Sequence, residues 1–150
     1  MSAQTVLQEL TGDQLTHDHV RQRVDDWCQR LEALYDDIGQ WLPPGWTAKR
    51  GPAVTMNEEL MQSTGEPARE LPTLELHRDG SAEWTLRPQG LWIIGVNGRI
   101  DLVRVKDLKI YLVLDLAKTF EPPDWHIEAL TARGNAKRFD RGQLKALLAP

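Results

Sequence analysis

Residues 74–86 read Leu-Glu-Leu-His-Arg-Asp-Gly-Ser-Ala-Glu-Trp-Thr-Leu, two runs of alternating apolar and polar side chains on either side of Asp79-Gly80-Ser81. Strand side chains alternate between faces, so this period of two predicts a β-hairpin. If Asp79–Ser81 form a three-residue loop, Arg78 faces Ala82, Leu76 meets Trp84 and Leu74 meets Leu86 on one side. Glu75, His77, Glu83, Thr85 and Arg87 then share the other side, with His77 opposite Glu83. A two-residue loop would set Leu76 against Glu83 and mix the two sets, so the hydrophobic pattern selects the longer loop.

The pattern continues toward the C-terminus. Leu91–Val96 and Arg99–Val105 flank Asn97-Gly98, a pair that signals a tight turn between apolar runs, and predict a second hairpin. Ile110–Leu116 is apolar on both faces except at Asp115, the pattern of a central, covered strand. Glu121-Pro122-Pro123-Asp124 reads as a loop and Trp125–Leu130 as a further strand. Asp140 can cap a final helix over 140–148 that carries Leu144, Leu147 and Leu148.

Toward the N-terminus the period changes. Val20, Val24, Trp27, Leu31, Leu34, Ile38 and Trp41 recur at helical spacing, with Cys28, Tyr35 and Leu42 widening the stripe. This predicts an amphipathic helix over 16–42, capped by Thr16 or earlier by Thr11 with Gln14 as a capping-box partner, and ended by Gly39 and Pro43-Pro44. The stripe is too broad for a simple coiled-coil seam, so the helix is expected to lie across the sheet. Between them, Gly51-Pro52, Gly65 and Pro67 limit residues 45–72 to a short strand, then a long loop or a helical turn around Asn57–Met61. Residues 1–15 read as a flexible lead-in. The expected fold is α+β: a long N-terminal helix packed on an antiparallel meander of about five to seven strands over 73–131, and a short C-terminal helix. A chain of 150 residues suits a single domain, 1–150.

Eighteen basic residues against 22 acidic ones give a net charge of -4, too small to define a partner. The ends differ in sign, however: residues 1–41 have only Arg21, Arg23 and Arg30 as bases, whereas residues 132–150 have only Asp140 as an acid. The lone Cys28 cannot form an intramolecular disulfide, and no cysteine and histidine cluster has zinc-site spacing, so no metal or other cofactor is expected. Met1–Thr5 lacks the basic and apolar regions of a leader, and no apolar run approaches the ~20 residues that span a bilayer; the expected location is the cytoplasm, with no membrane contact.

Three groups of residues are candidates for function. His77 beside Glu83, and the isolated carboxylate of Asp115, are weak catalytic candidates: a carboxylate can orient an imidazole as a base, and a buried acid needs a donor. Solvated sheet faces and satisfied structural acids produce the same patterns. Asp25, Asp26, Asp36 and Asp37 recur after three helical turns and are candidates for contact with a basic protein surface. Arg133, Lys137, Arg138 and Arg141 could hold an anion or nucleic-acid phosphates. The function expected from these features is a non-catalytic protein-binding or regulatory module, whose partner is another protein or a second copy of the chain. Two alternatives stand beside it. One is a small ligand-binding domain or enzyme with a pocket between sheet and helix; the other is a nucleic-acid-associated factor using the C-terminal basic cluster.

Overall fold

Pro43 and Pro44 stop the helix that the apolar stripe demands: α1 spans His17–Trp41 in the computed structural model, which describes residues 16–92 and 96–149. The expected lead-in at 1–15 lies outside the described residues. Thr16 caps α1, its hydroxyl accepting from the His19 amide at 3.1 Å, and the helix passes through Gly39 without ending there. Val20, Val24, Trp27, Leu31, Leu34, Tyr35 and Ile38 are buried as the stripe requires, and Arg23 and Arg30 are buried with them.

The sheet begins at Trp46 rather than Thr73 and ends at Arg138 rather than Thr131. Strand β1 is Trp46–Met56, helix α2 Glu59–Thr64, β2 Arg69–Arg78, β3 Ser81–Gly90, β4 Arg99–Arg104, β5 Ile110–Asp115, β6 Trp125–Ala129, β7 Lys137–Arg138 and helix α3 Arg141–Leu148. The seven strands pair antiparallel in chain order, with α1 and α3 sharing one core with the sheet. The fold is α+β. No helix among the described residues is long and apolar enough to cross a membrane.

The apparent strand breakers at 51–52 lie inside β1. A bulge separates Gly51 from Val54, and Thr73 donates its hydroxyl hydrogen to the Pro52 carbonyl at 2.9 Å. Proline is tolerated there because β1 is an edge strand, whose outer amides need no partner in the sheet. A Cβ on Gly51 would sit 2.6 Å from the Thr73 hydroxyl oxygen, so the bulge needs a glycine. The expected helical turn near Asn57–Met61 is α2.

The first hairpin pairs Leu74 with Leu86 and Leu76 with Trp84, the pairs the hydrophobic pattern selects. Its turn differs from the expected one. Asp79 and Gly80 take φ of 54° and 78° and make a two-residue turn, and a bulge beyond Leu76 restores the register. His77 therefore pairs with Ala82 rather than Glu83. A two-residue turn alone would spoil the core pairs; the bulge between Leu76 and His77 reconciles the two.

Asn97-Gly98 makes no hairpin. β3 runs through Pro88 to Gly90 and pairs with β4 directly, and Ile93–Gly95, within the expected strand, lie outside the described residues. Instead, the Asn97 amide donates to the Asp115 carbonyl at 2.7 Å and the Asp115 amide to the Gly98 carbonyl at 3.1 Å. Gly98, at φ 130°, lies against the six-membered ring of Trp27, where a Cβ would overlap the ring carbons. The glycine is needed for this close approach, not for a turn.

Helix α1 covers Leu74, Leu76, Leu86, Ile100, Leu102, Val113 and Ile127. On the far face of β5, Leu112 and Leu114 join Val96 in a smaller apolar cluster. β5 is thus buried on both faces, as its uninterrupted apolar run implies.

Candidate functional site

Asp115 ends β5 on the helix-covered face and is fully buried. One carboxylate oxygen accepts from Arg30 Nη1 at 2.8 Å; the other accepts from the Ala117 and Asp124 amides at 3.0 and 2.9 Å. Arg30, 4% exposed, also donates from Nε to Asp26 at 2.6 Å and from Nη2 to the Glu121 carbonyl. A buried ion pair needs such complete hydrogen bonding to offset its desolvation. It ties α1 to β5 and to the loop at 116–124.

A second buried arginine does the same for the preceding connection. Arg23 Nη2 donates to Asn97 Oδ1 at 3.0 Å, and the guanidinium lies 5.7 Å from the centre of the Trp92 ring. Burial lowers its pKa to about 10, with Asp26 opposing. Glu58, at the start of α2, accepts from the Leu91 amide at 3.2 Å; burial raises its pKa, and that hydrogen bond opposes the rise. The sequence reading missed Arg23, Glu58 and Asn97, although a signal existed: Arg23 and Arg30 are seven residues apart and immediately precede the stripe residues Val24 and Leu31.

His77, Glu83 and Asp115 do not converge. The His77 ring is 2.9 Å from Glu75 Oε1, whereas Glu83 accepts twice from Arg78, at 2.7 and 3.0 Å. His77 lies at the end of β2 beside the β2–β3 turn; Asp115 lies at the opposite end of the sheet and on its other face. No group of three or more metal-ligating side chains occurs among the described residues. Burial raises the pKa of the Cys28 thiol, with Arg69 opposing, which leaves it a poor nucleophile near neutral pH.

The four helix acids divide. Asp26 is engaged by Arg30, and Asp25 accepts from Arg69 at 2.8 Å. Asp36 and Asp37 are exposed and make no ion pair among the described residues. The basic cluster divides too: Arg133 donates to the buried Glu128 at 2.5 Å, within the turn after β6. Lys137 and Arg138 on β7 and Arg141 at the start of α3 are exposed, without ion pairs among the described residues.

Two surface features were not anticipated. Phe120 is 49% exposed at φ 65° in the β5–β6 loop, beside Gln22, Asp25, Asp26 and Gln29 of α1, with which it lines a shallow hollow of about 340 Å³. At the other end of the sheet, Trp46, Arg78, Ala82, Glu83, Trp84, Arg104 and Lys106 meet the C-terminal end of α3 around a cleft of about 270 Å³. Neither was legible, because both depend on loops and strand ends brought together by pairing. Against this geometry, comparison with family models, curated proteins and solved structures finds no match for the chain.

Proposed function

We propose that the chain is a non-catalytic protein-binding module that docks its partner on the exposed face of α1 beside the β5–β6 loop. The observation that carries this reading is Phe120. A phenylalanine at positive φ costs about 1 kcal/mol or more, and half of this side chain faces solvent, where it adds little to the core. Its loop is nevertheless held firmly: the Glu121 carbonyl is bound by Arg30, and the Asp124 amide by Asp115. A rigid aromatic anchor beside acidic side chains suits a partner segment that combines an apolar residue with basic ones. Asp36 and Asp37 extend the negative surface along the same helix.

The test is affinity capture with quantitative mass spectrometry, comparing the native chain with Phe120→Ser and with Asp36→Asn/Asp37→Asn. Asp26 is left intact because neutralising it would disturb Arg30. Leu130→Ser, which alters an exposed apolar residue elsewhere, serves as the control. Partners retained by the control and lost with Phe120→Ser support the proposal. Identical capture by all four proteins removes this face as the docking surface.

A further inference from the structure

The cleft at the far end of the sheet has a different chemistry from the Phe120 surface. Trp84, Ala82, Leu147 and Leu148 supply apolar lining, and Trp46 stands at the side. The two indoles are held in place by stacked cations: the Arg78 guanidinium lies 4.7 Å from the centre of the Trp46 ring, and that of Arg104 lies 5.8 Å from the Trp84 ring. Each guanidinium is fixed in turn by a carboxylate along its Nε–Nη2 edge. Arg78 donates both hydrogen bonds to Glu83, and Arg104 donates at 2.9 and 2.6 Å to Asp107.

This arrangement leaves cationic donors in excess. Among the described residues, Nη1 of Arg78, Nη1 of Arg104 and the Lys106 ammonium have no hydrogen-bond partner, and the one carboxylate in the lining, that of Glu83, is already engaged. An apolar lining flanked by two guanidinium groups fixed by carboxylates and by an exposed ammonium is complementary to an amphipathic anion. The volume is that of a compact molecule rather than a long acyl chain. We infer that this cleft is a binding site for a small aromatic or branched apolar carboxylate of about a dozen non-hydrogen atoms, whose ring packs against Trp46 and Leu147 over the small exposed edge of Trp84 and whose carboxylate meets Arg104 and Lys106. The site is independent of the Phe120 docking surface.

The probe is 2-naphthoate, titrated into ¹⁵N-labelled full-length protein while the indole Nε1–H signals are followed. The expected result is saturable shifts of the Trp46 and Trp84 signals, with a Kd on the order of 1 mM or below, the range open to a ligand of this size. The neutral analogue 2-naphthamide should bind at least ~5-fold more weakly. Lys106→Gln and Arg104→Gln should each weaken 2-naphthoate by roughly 3- to 10-fold. Lys106 makes no ion pair among the described residues, so its variant tests the charge without disturbing the fold. Non-saturable shifts, shifts centred on other tryptophans, equal affinity for naphthoate and naphthamide, or an unchanged Kd in Lys106→Gln would overturn the assignment.

Discussion

Replacing Asp115 with asparagine exchanges one oxygen for an amino group at the point where α1, β5 and the β5–β6 loop meet. The amide oxygen can still accept from Ala117 and Asp124, but the amino group then faces Arg30 Nη1, donor against donor. Turning the amide over relieves that contact only by leaving two backbone amides without an acceptor, each costing about 1–3 kcal/mol. The first orientation is therefore the cheaper one. Breaking a buried pair costs about 3–5 kcal/mol, and the low end applies because Asp26 and the Glu121 carbonyl still hold Arg30. A loss of about 3 kcal/mol leaves a domain of ordinary stability folded but fragile. With a urea m-value of about 2 kcal/mol per molar, the midpoint followed by tryptophan fluorescence should fall by roughly 1.5 M. Arg30→Met made alone and in the Asp115→Asn background should reveal a coupling above about 1 kcal/mol. A midpoint change under about 0.5 M together with coupling near zero would show that the pair contributes nothing.

Three further outcomes are expected. Gly98→Ala drives a methyl group into the Trp27 ring and should cost about 2 kcal/mol or more, lowering Tm by roughly 4–8 °C; an unchanged Tm would mean the contact is slack. Leu108 is 71% exposed at φ 59°, so Leu108→Gly relieves backbone strain while sacrificing little burial and should raise stability by about 0.5–1 kcal/mol; a clear loss in urea denaturation would contradict the strain. The hydrogen bonds from Arg104 hold the Asp107 carboxyl at about 2, below the usual aspartate value. Because this folded-state pKa is depressed, its contribution to stability is present above the ordinary aspartate range and is lost as pH falls through it toward 2. Carboxyl NMR titration should report the low value, and Arg104→Gln should raise it; no rise would dissociate the two groups.

The elements governed by simple periodicity were legible from sequence. The stripe from Val20 to Trp41 defines α1, and the alternation about Gly80 defines the pairs Leu74–Leu86 and Leu76–Trp84. The misreadings arose where one residue has two physical uses. Gly51-Pro52 reads as a break yet forms an edge bulge, and Gly98 reads as a turn yet makes room for an indole. The site residues were harder to find because their meaning lies in distant partners. Asp115 was conspicuous, but nothing near it in sequence points to Arg30, 85 residues earlier. Phe120 and the Trp46–Trp84 cleft carry no periodic signature.

A sheet whose strands pair in chain order can be assembled one hairpin at a time, each addition closing a short loop. The clasps of α1 are of another kind: Arg23 reaches across 74 residues to Asn97, and Arg30 across 85 to Asp115. Such long closures come after the local ones, so the helix is expected to lock onto a sheet already largely formed. Weakening its clasps should hasten unfolding far more than it slows refolding. The two buried arginines are thereby expected to govern how long the native state persists rather than how quickly it is reached.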